Sequence, residues 1–422
     1  MKRFIALLLV IVFVLSLAGC AQGEPERIAS RRDLPEEDPQ NPGSSSGVKP
    51  DEKPMDAASA KAYNAFAFKM FQEVYAQRED TVMVSPYSLY IALCLLTNGA
   101  DGDTLTEFEN VLGLKLSDLN GYFGAYDREM TGIEEFSSAN SIWIAERIAK
   151  IVKEEYIKNC ADYYRSAVYN VDFVKSETLE RINAWASEKT NGLIPKAIDS
   201  LDDPETVAMI LMNAVLFDGK WKNAFSEDRI FEQDFTHENG SVTKERLMYG
   251  TADDIYLEND FCTGFMKNYE GRFSYIGLLP KEGVSVKDLV ASMNAESYQQ
   301  LLDTRKHGDV YICIPEYKTE SSVKLVDPMK KMGIQKAFDI NYANFNGITG
   351  KDKLYVSDVF QKTFIEVSAE GTKAAAVTVI TVRDEACSID ETPSYNVYLD
   401  RSFVYMIVDN ETGCPVFTGV VR

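Results

Sequence analysis

The sequence predicts an α+β fold with a large sheet. Its 422 residues, of which 45% are hydrophobic and 11% aromatic, suffice for a large core in one big domain or two ordinary ones. Helical patterns are mixed with runs of strand pattern that do not alternate regularly with them, and no large internal repeat stands out. This mixture is typical of α+β folds, since α/β folds alternate the two elements.

The chain begins with the features of a secretory signal peptide. Two basic residues precede an apolar run at 4–17, which is too short for a typical membrane-spanning helix. The run ends in LAGC at 17–20, which resembles the bacterial lipobox. That resemblance implies cleavage before Cys20 and a lipid on its thiol, so we expect a lipoprotein signal peptide at residues 1–19.

A polar segment follows at residues 20–56. It is rich in Glu, Asp, Pro, Ser and Gly and cannot bury a core, so we expect a disordered tether between Cys20 and a folded domain at 57–422. Within it, GSSSG at 43–47 matches the nucleophile elbow of hydrolases. That motif needs a strand before it and a helix after it, and the segment offers neither, so we interpret it as a spacer.

Apolar spacing and capping residues predict the helices of the folded domain. The expected helices cover residues 64–75, 86–96 after the turn at Ser85, 104–112 closed by Gly113, a helix capped by Ser176, 285–293 capped by Ser285, and 325–332.

Strand patterns lie at residues 81–84, 139–144, 206–217, 311–315, 364–367, 396–399, 403–408 and 416–421. The run at 206–217 is continuously apolar, as expected for a strand that is covered on both faces. Asn213 lies in its middle. Leaving a buried amide without hydrogen-bond partners costs about 1–3 kcal/mol, so we expect a polar group opposite Asn213.

Charge and cysteine content exclude several functional classes. The net charge of −21 argues against a nucleic-acid partner, which would require a basic surface. The seven cysteines form no CxxC pair and lie mostly in apolar runs. Because the lipobox removes Cys20 from the count of thiols, we interpret the other six as buried free thiols.

Catalytic motifs are missing from the sequence. His237 and His307, the only histidines, lie in polar turn contexts, and no zinc-protease, phosphate-loop or dinucleotide motif occurs. The DGD at 101–103 hints at a calcium loop, but Leu112 stands where the closing glutamate would be. We therefore expect no enzyme, no metal and no cofactor. A lipoprotein hydrolase remains an alternative without a motif.

The most informative stretch is residues 366–386. Gly371 interrupts a strand, and a run without Pro or further Gly follows to Arg383. Alternate positions in this run are small or apolar, namely Thr372, Ala374, Ala376, Thr378, Ile380 and Val382. The run reads as a half-buried strand, yet it leads into a polar, loop-like segment. It is either an ordinary sheet strand before a long turn or a mobile segment that can become a strand.

Several motifs, taken in order, resemble the serpin family from about residue 57 to the end. These are NAFAF (64–68), SPYS (85–88), NGA (98–100), NAVLF (213–217), GKW (219–221), IPEY (314–317), EGTKAAA (370–376) and PVFTG (415–419). The resemblance implies a large central mixed sheet with further sheets, eight to nine helices and an exposed reactive-centre loop. It also implies inhibition of serine proteases, and perhaps of cysteine proteases, by suicide-substrate trapping.

The resemblance also implies roles for particular residues. The hinge comprises Gly371, Thr372, Ala374, Ala375 and Ala376. The resemblance places Ser85, Ser88, Asn213 and its partner Gln361 where the central strands part. It places Trp221 near the upper entrance for the loop.

Two positions depart from the family pattern. Gln361 replaces the usual histidine, and we expect it to remain the uncharged partner of Asn213. Ala369 replaces a usual glutamate that braces the hinge, which leaves the loop looser.

Counting from Gly371 as the family does places the attacked bond at Glu385–Ala386, with Asp384 or Arg383 as alternative specificity residues. Glu385 implies a glutamate-preferring protease and Arg383 a trypsin-like one. Cys387 lies near this bond, and we interpret it as a bystander, with a redox-sensitive loop or a thiol-protease target as the alternatives.

The expected partner is a target protease held as a covalent acyl-enzyme. We further expect a monomer on the outer side of a bacterial cell membrane, anchored through Cys20. A non-inhibitory binding protein with the same fold is the alternative.

Overall fold

The computed structural model describes residues 7–17, 52–78, 81–350, 354–372 and 392–422, with residues 7–17 described as backbone only. The expected lipid site at Cys20 and most of the tether therefore lie outside the described residues. Within the described ranges, no helix is both long enough and apolar enough for a membrane span.

Nine α-helices of seven or more residues occur in the described part of the chain, in agreement with the expected eight to nine. With the short ones, the helices are α1 (Ala57–Tyr75), α2 (Pro86–Thr97), α3 (Gly102–Leu112), α4 (Leu116–Asp118), α5 (Gly124–Met130), α6 (Glu154–Tyr164), α7 (Ser176–Lys189), α8 (Val286–Ser292), α9 (Ala295–Asp303), α10 (Val326–Met332) and α11 (Asn346–Thr349).

The strands are β1 (Leu7–Leu17), β2 (Val82–Val84), β3 (Phe136–Ala145), β4 (Ala167–Val171), β5 (Val207–Phe217), β6 (Gly219–Lys220), β7 (Ile230–Thr236), β8 (Val242–Thr251), β9 (Ile255–Glu258), β10 (Cys262–Asn268), β11 (Phe273–Pro280), β12 (Lys306–His307), β13 (Asp309–Pro315), β14 (Tyr317–Lys324), β15 (Leu354–Val367), β16 (Gly371–Thr372), β17 (Ser394–Tyr398), β18 (Phe403–Asp409) and β19 (Pro415–Val421).

These strands form three sheets and one short ladder. The central sheet has the order β14-β15-β1-β5-β3-β4. A seven-stranded sheet has the order β12-β9-β10-β11-β18-β19-β2, and a four-stranded sheet the order β17-β13-β8-β7. The hinge strand β16 pairs only with β6. The mixed α+β architecture expected from the sequence is thus confirmed.

The helix boundaries follow the local capping chemistry. Ser285 accepts from the backbone N–H of Asp288 and completes a capping box, and α3 ends at Gly113 with a left-handed φ of 75°. Ser176 is not a cap, because it is the first helical residue and the preceding Lys175 makes no side-chain cap. In place of a calcium loop, Asp101 caps α3 and Asp103 pairs with Lys336 at 2.6 Å.

The core lies between the central sheet and the seven-stranded sheet. Every residue of β5 is buried, as its continuous apolar run predicted, and every residue of α2 is buried beside it. A helix enclosed on all sides holds its N-terminal residues rigidly. The polar side chains Ser85 and Ser88 at the start of α2 are therefore fixed beneath the central sheet.

Strand β15 is longer than expected from the sequence, which indicated only residues 364–367. It covers Leu354–Val367 and alternates between buried and half-buried positions along most of its length. The polar residues that obscured its pattern include Gln361 and Thr363, and both are buried through hydrogen bonds.

The N-terminal apolar run has a place in the fold that the sequence did not predict. Strand β1 lies between β5 and β15 in the central sheet. An apolar run rich in Leu, Val and Ile suits a buried strand as well as a signal peptide, so its pattern did not distinguish the two roles. Cleavage before Cys20 stays a prediction.

Candidate functional site at the opening of the central sheet

The candidate site is the space between β5 and β15, which we call the slot. The two strands do not pair with each other, because β1 lies between them and runs antiparallel to both. Ile11 of β1 is opposite Asn213 on one side and Gln361 on the other. The central sheet is thus built to hold an extended segment between these two strands.

One side of the slot rests on a buried amide network. The Asn213 amide donates to the side-chain oxygen of Asn140 at 2.8 Å and to the Ser138 hydroxyl at 3.3 Å, and its oxygen accepts from the Ser88 hydroxyl. The expectation of polar partners for Asn213 is confirmed, but the partners come from β3 and α2.

The other side of the slot has its own network. The Gln361 side chain accepts from the Ser85 backbone N–H and donates to the Ser85 carbonyl, both at 3.1 Å. The Ser85 hydroxyl donates to the carbonyl of Val416 at 2.7 Å. The prediction that Gln361 is the direct partner of Asn213 is wrong, because a whole strand separates β5 from β15.

The network beneath Asn213 ends at a buried carboxylate that the sequence analysis missed. Asp127 accepts from the Tyr87 hydroxyl at 2.5 Å, from Ser138 at 3.2 Å and from the Asn140 amide at 3.3 Å. Burial raises the pKa of Asp127 to about 6, although these hydrogen bonds lower it. Asp127 orients Asn140 and so indirectly fixes Asn213.

The upper entrance of the slot is held by main-chain bonds to Trp221 and Phe225. The Trp221 indole donates to the Ser368 carbonyl at 2.9 Å, and its backbone N–H donates to the Glu370 carbonyl at 3.2 Å. The Phe225 N–H donates to the Ala369 carbonyl at 2.8 Å. Ala369 is only 4% exposed, so backbone bonds hold the turn at the position where the family's glutamate is missing.

Gly371 begins the hinge in a conformation that other residues rarely adopt. Its φ is 141°, and it pairs with Lys220 while Thr372 pairs with Gly219. A Cβ at this position would lie 2.5 Å from the Gly219 carbonyl oxygen and 2.7 Å from the Lys220 Cα. Both φ and space therefore require glycine where the chain turns from β15 toward the slot.

A buried lysine supports this entrance and was also missed. Lys267 is 1% exposed, and its ammonium donates to the carbonyls of Asn223 at 2.7 Å and Thr251 at 3.3 Å. It lies 4.6 Å from the ring centroid of Phe225 and 5.5 Å from that of Trp221. Burial lowers the pKa of Lys267 to about 8, against the charge of Asp253, which raises it.

The remaining hinge and loop residues lie outside the described residues. These are Ala374, Ala375, Ala376, Arg383, Asp384, Glu385, Ala386 and Cys387. The described chain leaves the slot entrance at Thr372 and resumes before β17, which pairs in parallel with β13 of the four-stranded sheet.

The thiols and histidines show no catalytic arrangement in the described part of the chain. Cys94, Cys160, Cys262, Cys313 and Cys414 are free and buried, as expected. Burial raises the pKa of Cys313 to about 12, which keeps the thiol unreactive. His237 contacts the Arg422 carbonyl and Thr243, and His307 contacts Asp254. Among the described residues, no cluster of three potential metal ligands occurs.

Comparisons with known proteins agree with this geometry. A profile of the family described as serpin (serine protease inhibitor) matches residues 61–422. The chain is 30% identical over 381 residues to an uncharacterized serpin-like protein of Methanosarcina acetivorans, covering 86% of this chain and 87% of that one. It is 28% identical over 375 residues to intracellular coagulation inhibitor 2 of Tachypleus tridentatus, covering 86% and 90%. The structure of tengpin, a thermophilic serpin, in its native state superposes with a TM-score of 0.77 at 28% identity, covering 88% and 95%.

Replacing Asn213 by alanine is expected to lower the free energy of unfolding by about 2 kcal/mol or more, because the Ser88 hydroxyl and the Asn140 oxygen then lose a buried partner. Denaturant midpoints measure the change. Gln233→Ala on the exposed face of β7 is the control and should stay within about 0.5 kcal/mol. An equal effect of both substitutions would contradict the role of the network.

Lys267 is expected to make stability depend on pH. Its folded-state pKa of about 8 lies below the ordinary 10.5, so the folded chain releases the proton first and gains stability as pH rises between these values. Relative to Lys267→Met, the unmodified chain should gain up to about 3 kcal/mol of unfolding free energy from pH 7 to 10.5.

The control for this measurement is Lys287→Met, which replaces an exposed lysine of α8 that faces water in both states. A difference between the unmodified chain and Lys267→Met that stays constant with pH would show that folding does not lower the pKa of Lys267.

Proposed function

The chain belongs to the serpin family, and from this premise we propose that it inhibits serine proteases, and cysteine proteases as a second class, by suicide-substrate trapping. The observation that carries the proposal is the slot, with a glycine hinge fixed at its entrance. The similarity to intracellular coagulation inhibitor 2 of Tachypleus tridentatus supports the same activity.

The proposed reaction begins as ordinary proteolysis. The protease nucleophile adds to the carbonyl carbon of Glu385, the amide bond to Ala386 breaks, and the new amine of Ala386 takes up the proton that the nucleophile released. Glu385 is then joined to the protease as an acyl-enzyme, an ester for a serine protease and a thioester for a cysteine protease. If the freed segment inserts before water attacks this bond, the protease is carried away and its active site is distorted.

The register of the hinge supports insertion. Continuing the ladder in which Gly371 pairs with Lys220 brings Thr378 opposite Asn213 and Ala376 opposite Val215. Residues opposite each other in a ladder share one face of the sheet, so Ala374, Ala376 and Thr378 share the Asn213 face. That face meets the buried N-terminus of α2, where the Ser88 hydroxyl donates to Asn213.

We further propose that the protein acts as a monomer at the outer surface of a bacterial membrane, held by a lipid on Cys20. The LAGC sequence at 17–20 supports the anchor, and the acidic net charge of −21 suits a soluble inhibitor beside a membrane. Mass spectrometry of the protein extracted from bacterial membranes tests this: an N-terminal diacylglyceryl-cysteine at position 20 is expected, and an unmodified Met1 contradicts it.

The test of function uses the exported, processed chain and a panel of glutamate-preferring, trypsin-like and cysteine proteases. A stoichiometric complex that survives denaturing gel electrophoresis is expected with at least one of them. Mass spectrometry of the released C-terminal fragment then identifies the reactive bond among Arg383, Asp384 and Glu385. If every protease that cuts the loop leaves it in free, active form, the alternative holds: a serpin-fold binding protein, which the absent hinge glutamate at Ala369 favours.

A matched pair of hinge variants separates insertion from cleavage. Ala376→Arg places a charge on the Asn213 face and is expected to reduce complex formation at least tenfold while the loop is still cut. Ala375→Arg places the same charge on the opposite face and should reduce it far less. Gel densitometry of complex against cleaved chain measures both, and equal losses would rule out insertion along the proposed register.

A further inference from the structure

The slot is already occupied in the full chain, and its occupant is not the hinge segment. Residues Leu8–Leu17 of β1 pair with β15, and residues Leu7–Ser16 of β1 pair with β5. Each ladder contains ten residue pairs, with one register shift near Leu15. Strand β1 therefore supplies hydrogen-bond partners for the main-chain groups of both facing edges.

The occupant also runs in the direction that the hinge segment would take. The hinge ladder continued along β5 would bring Ala374 to Phe217, Thr378 to Asn213 and Val382 to Met209. In the structure, these three residues of β5 pair instead with Leu7, Ile11 and Leu15 of β1. The two segments thus claim the same positions in the same orientation, and they cannot occupy them together.

We propose that the slot is a binding site for an extended apolar segment whose occupant is the chain's own residues 7–17, and that this segment keeps the uncut chain from inserting its loop. The second half of the statement rests on the proposed function. The leader then protects the slot until it is removed, and a trap becomes available only when residues 1–19 are separated from the domain.

Hydrogen–deuterium exchange on the full chain tests occupancy without any protease. All chains carry Cys20→Ala, so that processing at the lipobox does not remove the leader. Amides of residues 8–16 and of the slot-facing edges of β5 and β15 are expected to be protected. If residues 8–16 exchange as fast as an unstructured peptide, the proposal is overturned.

Proline substitutions test the pairing itself. Val10→Pro with Val12→Pro removes two N–H donors from β1 and is expected to raise exchange in β5 and β15 at least tenfold. Gln22→Pro with Glu24→Pro, at the same spacing but beyond β1, is the control and should change nothing there. Val12→Pro alone is used if the double variant does not fold. Equal exchange in variant and control overturns the proposal.

The probe for rebinding is a synthetic peptide with the sequence of residues 7–17. Added to the double proline variant, it is expected to restore protection of β5 and β15 in a saturable manner. A scrambled peptide of the same composition is its control, and equal protection by both would overturn a specific site.

Competition with the loop is tested by nicking. After a protease cuts the loop, the melting temperature of the proline variant is expected to rise, whereas that of the chain with its leader intact is expected to stay. An equal rise in both, or no rise in either, overturns the competition. Failure of the proposed function is distinct: the proline variant would gain stability on nicking yet trap no protease.

Discussion

The structure depends on a constraint in its central sheet: two rows of main-chain donors and acceptors, on β5 and β15, face each other across a gap one strand wide. A buried amide or carbonyl without a partner costs about as much as a lost hydrogen bond, and each edge presents such groups along about ten residues. The sheet therefore favours any extended segment that can enter, and the identity of that segment decides the state of the protein.

The polar networks under the sheet are compatible with such exchange because they do not cross the slot. Asn213 is satisfied by Ser88 and Asn140 on its side, and Gln361 is satisfied by Ser85 on the other. A strand can enter or leave without breaking a side-chain bond between β5 and β15. Among the described residues, the N-terminus of α2 joins the two networks, because it carries both serines and is buried.

Local patterns were enough to predict much of this arrangement. Gly371 interrupts a strand pattern, Asn213 lies inside a continuous apolar run, and the SPYS turn precedes a helix. Each of these features is visible in the sequence and indicates a backbone or burial requirement. Lys267 and Asp127 were not predictable, because a lysine or aspartate has no local signal for burial and both acquire it from elements distant in sequence. The bond between Asn213 and Gln361 was wrongly predicted for a related reason. Whether residues on β5 and β15 can contact each other depends on whether another strand lies between these two strands.

Strand β1 was missed because composition describes a segment by itself and does not show which other segments could fill the same place in the sheet. An apolar run of eleven residues satisfies the requirements of an export signal and of a central strand equally well.

The covalent link between β1 and the domain decides how strongly β1 occupies the slot. While residues 18–56 join it to the domain, binding is intramolecular, and such a covalent link raises the effective concentration of the segment, which reaches the order of millimolar for short flexible linkers. Once the chain is cut before Cys20, the same segment is a free peptide at its own low concentration, and the slot is open to the loop, which stays attached at Gly371 when a protease cuts it. A single cleavage can thus reverse the competition without changing a contact inside the folded domain.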